Sequence, residues 1–158
     1  LIPVIIGTTV FSMQRRDVFF NTVLALTLSA AALTIFHLLI PSFYPREAIE
    51  STSTFFSVSV WLVEVTRGLD AACNTFPSAH VTFAWVLYYC VGDSECAKRK
   101  KSLRVIYLLW AVLISLSTLF LKQHYVFDVV AGIVLAYASV TLAKKMVNRY
   151  FHNETSNP

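Results

Sequence analysis

The apolar residues of this chain fall into blocks, and the length of the blocks sets the first reading. Asp17 to Ile40 holds 24 mostly apolar residues, Pro77 to Gly92 holds 16, and Val105 to Leu121 holds 17 with no charge. Tyr125 to Ala143 holds 19 with a single charge, Asp128. A helix needs roughly 20 apolar residues to cross a bilayer core, so each block is a candidate membrane span. Leu1 to Ser12 is apolar but too short to cross alone. With Leu rather than Met at position 1, it reads as the end of an earlier span, the first being truncated or missing. A cleaved signal peptide fits less well, because no basic segment precedes the run and no small-residue cleavage site follows it. The pattern predicts an all-α, multi-pass transmembrane helical bundle that forms a single integral-membrane domain over residues 1–158.

Composition agrees with this pattern. The chain is 56% hydrophobic and 14% charged, against about 25% charged for an ordinary soluble domain. Its net charge of +4 matters less than where the cations lie. Arg15, Arg16, Lys98, Arg99, Lys100, Lys101, Arg104, Lys144, Lys145 and Arg149 share one side if every block crosses the membrane, and only Arg46, Arg67 and Lys122 fall on the other. The positive-inside rule makes the first side cytoplasmic. The basic run from Lys98 to Lys101 is then a topology signal, and no nucleic-acid partner is expected.

Between the first two full blocks, residues 41–76 form an external loop, opened by Pro41-Ser42 and Pro45, which stop the preceding helix. Ser53 to Thr66 is apolar with scattered polar residues and is read as an interfacial helix, with Trp61 at headgroup level. Phe151 to Pro158 reads as a polar tail, and its Asn153-Glu154-Thr155 sequon falls on the cytoplasmic side, where it is a chance match. Cys73, Cys90 and Cys96 fit no zinc spacing. Gly132 is read as permitting close helix packing, and His37, inside the first full block, as a helix-contact residue.

Two short stretches carry candidate chemistry. In Thr75-Phe76-Pro77-Ser78-Ala79-His80, a proline suited to a first helical turn places Thr75 or Phe76 near the cap and Ser78 and His80 in that turn. Unpaired N–H groups and the positive end of the helix dipole meet there, an arrangement that binds phosphate. In His124-Tyr125-Val126-Phe127-Asp128, the spacing of four puts His124 and Asp128 on one helical face. A carboxylate on one imidazole nitrogen fixes the tautomer and leaves the other free as nucleophile or base. Ionisable groups at the edge of apolar spans are functional-site candidates, and the charge pattern puts both stretches on the external face. Together they suit phosphoryl transfer through a phosphohistidine: His124 attacks, His80 protonates the leaving oxygen, and Ser78 with nearby cations holds the phosphoryl group. A metal site made by His80, His124 and Asp128 is the competing constellation.

At these residues the chain resembles the type 2 phosphatidic acid phosphatase superfamily, the lipid phosphate phosphatases. Pro77-Ser78-Ala79-His80 matches its Pro-Ser-x-His signature. Ser117-Thr118, five further residues, His124 and Asp128 match most of its Ser-Arg-x5-His-x3-Asp signature. The resemblance runs from about Pro41 to Lys145. It implies about six spans, no cofactor or required metal, and an external active site with His124 as nucleophile, Asp128 its partner, His80 general acid and Ser78 a phosphate ligand. Two departures stand out. Thr118 replaces the signature arginine, and the first signature, Lys-x6-Arg-Pro, is absent, leaving Arg46 after Pro45 as a remnant. Lys122 and Arg46 are the candidate replacement cations, with Thr118 and Asn74 as further substrate-binding candidates. For Asn74, capping or loop hydrogen bonding is the plainer alternative.

The expected function is therefore a membrane lipid phosphate phosphatase acting on a phosphomonoester or pyrophosphate lipid, with the bilayer and its lipid substrate as partners. The Ser-Thr variant followed by His-Tyr is similar to the branch that includes inositol phosphorylceramide synthases, so a lipid phosphotransferase using an alcohol acceptor is the first alternative. A non-catalytic lipid-binding protein with a degenerate site is the second, and a channel or transporter the third, with few intramembrane charges to support it.

Overall fold

The computed structural model describes residues 16–42, 60, 61, 63–65, 68, 75–92, 101–121 and 124–155. Most are helical: α1 spans Arg16–Leu39, α2 spans Ala79–Leu87 and runs on into a π-helical turn at Tyr88–Gly92, α3 spans Lys101–Phe120, and α4 spans Val126–Thr155. No strand occurs among the described residues. The chain is an all-α helical bundle.

Three helices, Val18–Leu39, Lys101–Phe120 and Val126–Tyr150, are long and apolar enough to cross a membrane, each with a mean hydropathy of 2.0. The 22 residues of the first reach about 33 Å at 1.5 Å per residue, which matches the bilayer core. The segment expected to cross from Pro77 is shorter. Its apolar helix covers Ala79–Val91, because Ser78 keeps an extended ψ of 116° and serves as the N-cap. Pro77 thus stands outside the helix, after a cis Phe76–Pro77 peptide bond, and the cap falls at Ser78 rather than at Thr75 or Phe76. At the other end of the chain, α4 extends into the segment expected to be a polar tail. No Gly or Pro lies between Gly132 and Pro158 to stop it. Of the expected interfacial helix, Val60, Trp61, Val63, Glu64 and Val65 are described and helical, with Trp61 61% exposed. Its remainder lies outside the described residues, as do Cys73 and Cys96.

Each helix buries one narrow stripe and turns large apolar side chains outward. In α1 the buried positions are Val18, Thr22, Ala25, Ser29 and Leu33, and in α3 they are Tyr107, Ala111, Ser115 and Thr118. These follow steps of three or four, as one face of a helix must. Many are small, which lets helix backbones approach in the absence of a hydrophobic driving force between helices in lipid. α4 packs on α1 and α2, and α3 packs on α2. A shared core forms around Ala25, Val86, Val91, Tyr107, Ala136 and Val140. Hydroxyl side chains in the spans return to their own helix: Thr22 donates to the Val18 carbonyl at 2.7 Å and Ser115 to the Ala111 carbonyl at 2.8 Å. This is how polar groups stay satisfied where no water is available.

Gly132 has a definite packing task. A Cβ there would stand 3.0 Å from the Ser78 carbonyl oxygen and 3.1 Å from Thr82 Oγ1. A side chain there would force its neighbours to give by a few tenths of an ångström, and glycine lets α4 approach the start of α2 without that shift.

Candidate active site

The site forms at one end of the bundle, where α2 and α4 begin and α1 and α3 end. Close approach at Gly132 brings the two helix starts into direct contact: the Ser78 N–H donates to the Asp128 backbone carbonyl at 3.2 Å. Ser78, His124 and Asp128 are all buried there, with relative exposures of 0%, 7% and 5%. The two short stretches of sequence therefore meet in space.

Asp128 does two things. As the third residue of α4 it reaches back, and its Oδ2 accepts the Tyr125 backbone N–H at 2.9 Å, the reciprocal half of a capping box. The same oxygen lies 3.5 Å from His124 Nδ1. The turn carrying His124 is pinned from the other side, since the His124 N–H donates to the Thr118 carbonyl at 3.3 Å. Thr118 is buried, and its hydroxyl donates to the Ser115 carbonyl at 2.9 Å. The residue standing in the arginine's place thus spends its side chain on its own helix and its carbonyl on the turn that carries His124.

Burial holds the His124 imidazole below its ordinary pKa of 6.5. The Asp128 carboxylate and the Thr75 backbone carbonyl favour the charged ring and oppose this, while His80 adds a smaller push in the same direction as burial. Burial wins, because removing a cation from water costs more than these partners return. His80 itself is exposed, in the first turn of α2.

Among the described residues, two polar atoms of this site are buried without a hydrogen-bond partner: Ser78 Oγ, and His124 Nδ1, whose 3.5 Å approach to Asp128 Oδ2 is an electrostatic contact rather than a formed hydrogen bond. Ser78 caps α2 through its backbone only, and its hydroxyl makes no cap bond. The N–H groups of Ala79, His80 and Val81 precede the first helical bond, from the Thr82 N–H to the Ser78 carbonyl at 2.9 Å. An anion placed against this helix start meets backbone donors, an uncommitted hydroxyl and the positive dipole end.

A family model described as the PAP2 superfamily matches residues 15–151. The chain belongs to the PAP2 superfamily. Members of this superfamily are generally phosphatases or phosphotransferases, and the three long apolar helices make this PAP2 protein a membrane protein. No curated protein and no solved structure matches the chain significantly.

The sequence-predicted site residues divide into two groups, and a third group was not predicted. Ser78, His124 and Asp128 come together, with His80 within electrostatic reach and Thr118 beneath. Lys122, Arg46 and Asn74, and with them the choice of a replacement cation, lie outside the described residues. Among the described residues no group of three or more His, Cys, Asp or Glu side chains is placed to hold a metal ion. A third group was missed by sequence reasoning. His37 Nε2 approaches the Pro77 carbonyl at 3.4 Å, and Ser42 Oγ accepts from the Phe76 N–H at 2.9 Å and from Thr75 Oγ1 at 3.1 Å. Pro41-Ser42 carried a helix-stop signal only, and no local pattern reports a partner more than thirty positions away.

Proposed function

We propose that this PAP2 protein is a membrane lipid phosphate phosphatase that works through a phosphohistidine on His124. The observation that carries the reading is the meeting of a buried, uncommitted Ser78 hydroxyl at a helix start with a buried His124 backed by Asp128. A lipid phosphate seats its phosphoryl oxygens on the first-turn N–H groups of α2 and on Ser78. The neutral His124 ring, with Nδ1 facing Asp128 Oδ2 at 3.5 Å, donates the lone pair of Nε2 to phosphorus. As the P–N bond forms, the P–O bond to the lipid breaks, and His80 gives its proton to the leaving oxygen. Water then attacks phosphorus, His80 takes up its proton, the P–N bond breaks, and inorganic phosphate leaves with His124 neutral again. Lys122 and Arg46 are assigned as cations for the phosphoryl charge and Asn74 as a headgroup contact. Thr118 acts by anchoring the His124 turn through its carbonyl.

The site opens on the non-cytoplasmic face of the membrane. The distribution of Lys and Arg supports this, since ten of the thirteen fall on the opposite side of the predicted topology. The same residues serve an alcohol acceptor in place of water, and the Ser117-Thr118 variant of the third signature favours this second reading, a lipid phosphotransferase.

The test is an assay over a panel of lipid phosphates, with and without alcohol acceptors, in sealed right-side-out vesicles. Phosphate release or headgroup transfer is expected without permeabilisation, unaffected by chelator and lost in His124→Ala. Turnover in His124→Ala at the wild-type rate would sink the phosphohistidine. Activity seen only after permeabilisation would reverse the topology, and loss on chelation would favour a metal mechanism.

A further inference from the structure

The Thr75–Pro77 segment approaches both halves of the site, and something must hold it in place. It precedes the Ser78 cap directly, and its Thr75 carbonyl faces the His124 ring. Three residues in the last turn of α1 and just after it grip the segment. Ser42 Oγ accepts two hydrogen bonds, from the Phe76 backbone N–H at 2.9 Å and from the Thr75 hydroxyl at 3.1 Å. The His37 Nε2–H donates to the Pro77 carbonyl at 3.4 Å, a long contact. The Phe36 ring meets the Phe76 ring edge-on with centroids 6.2 Å apart. Of these, Ser42 makes the shortest polar contacts and engages backbone and side chain at once.

We propose that Ser42 is a positioning residue for the phosphoryl-transfer site, fixing the Thr75–Phe76 segment so that Ser78 and the Thr75 carbonyl keep their places beside His124. The inference rests on the catalytic reading above, and it adds a residue just beyond the end of α1 to a site otherwise built by α2, α3 and α4. Thr75 is buried and Pro77 fully so, while Phe76 and Ser42 are half-buried, so water replaces a lost partner only in part. Removal of the Ser42 hydroxyl leaves the Phe76 N–H and the Thr75 O–H to find new acceptors, and the segment shifts to supply them. A shift of even 1 Å in a catalytic constellation is costly.

A second consequence separates positioning from plain support. The groups that face His124 are Asp128 from α4, His80 from α2 and the Thr75 carbonyl. The carbonyl favours the charged ring. If it withdraws, the imidazolium loses a partner and the ring becomes harder to protonate. The acid limb of the kcat/KM profile, which reports protonation of free His124, then moves to lower pH.

The experiment compares Ser42→Ala, Ser42→Thr and Thr75→Val with wild type and with His124→Ala, using the best lipid phosphate from the panel. Ser42→Ala is expected to lower kcat/KM roughly tenfold to a hundredfold, chiefly in kcat, and to move the acid limb down. Ser42→Thr, which keeps the hydroxyl, restores rate and limb, and Thr75→Val, which removes one of the two donors, shows a smaller fall in rate. Ser42→Ala with kcat/KM within twofold of wild type, or with reduced rate but an unmoved limb that Ser42→Thr does not rescue, overturns the assignment. If Ser42→Ala fails to fold, an unchanged rate in Thr75→Val overturns it as well. An inactive His124→Ala beside a normal Ser42→Ala discards this inference alone, whereas a fully active His124→Ala discards the catalytic reading beneath it.

Discussion

His124 is poised between two opposing influences. Burial keeps its ring below the ordinary value of 6.5, and Asp128 with the Thr75 carbonyl limits that fall. A neutral ring is the nucleophilic form, so under the proposed mechanism His124 is ready to attack at neutral pH. The sign of a pH experiment follows. The acid limb of kcat/KM should lie below pH 6.5, and Asp128→Asn should move it lower still, because the carboxylate that favoured the imidazolium is gone. The same variant should lose activity on the order of a hundredfold, since the ring is no longer held and its developing charge no longer met. A pH–rate profile of Asp128→Asn checks both, and a limb that moves upward would contradict the assigned geometry. At this scale the sequence was informative where chemistry is local. The spacing of four between His124 and Asp128 and the Pro77–His80 stretch identified residues that do converge. Ser42 was invisible, because its partners are a backbone N–H and a hydroxyl 33 and 34 positions away.

Helix starts do most of the construction. α2 and α4 begin side by side, joined by the Ser78 N–H on the Asp128 carbonyl, and Gly132 sets their separation. Gly132→Ala places a methyl group 3.0 Å from a backbone oxygen and 3.1 Å from Thr82 Oγ1. Neither is the far end of a flexible chain, so the helix contact must give by a few tenths of an ångström. The expected cost is about 1–3 kcal/mol of stability, read as a lowered Tm in detergent, together with a loss of activity beyond what unfolding at the assay temperature explains. A variant with wild-type Tm and rate would show that α2 and α4 have slack at this contact. Apolar block length predicted α1, α3 and α4 well, because membrane spans obey a length rule. It misjudged two boundaries for a physical reason. Helix ends are decided by caps and breakers, and the extended Ser78 moved one start inward from Pro77, while the lack of Gly or Pro after Gly132 let α4 run on to Thr155.

The molecule as a whole is a thin bundle that buries narrow, small-residue stripes and offers its bulky side chains to lipid. The same outward surface continues around the site: Leu38, Leu39, Phe120, Val126 and Phe127 are exposed at the end of the bundle where the site forms, and Phe127 stacks on Phe76 with ring centroids 5.4 Å apart. A phosphate held at the start of α2 therefore has apolar surface beside it, as a lipid substrate requires. PAP2 membership sets the chemistry at the level of phosphatase or phosphotransferase, and the catalytic claim beyond that is a covalent intermediate on one named histidine. Rapid quenching of a reaction with headgroup-labelled lipid phosphate tests it most directly. The account predicts a burst of alkali-stable, acid-labile label on the peptide that contains His124, absent from His124→Ala. Turnover that proceeds with no label trapped at His124, or label that persists in His124→Ala, would contradict it.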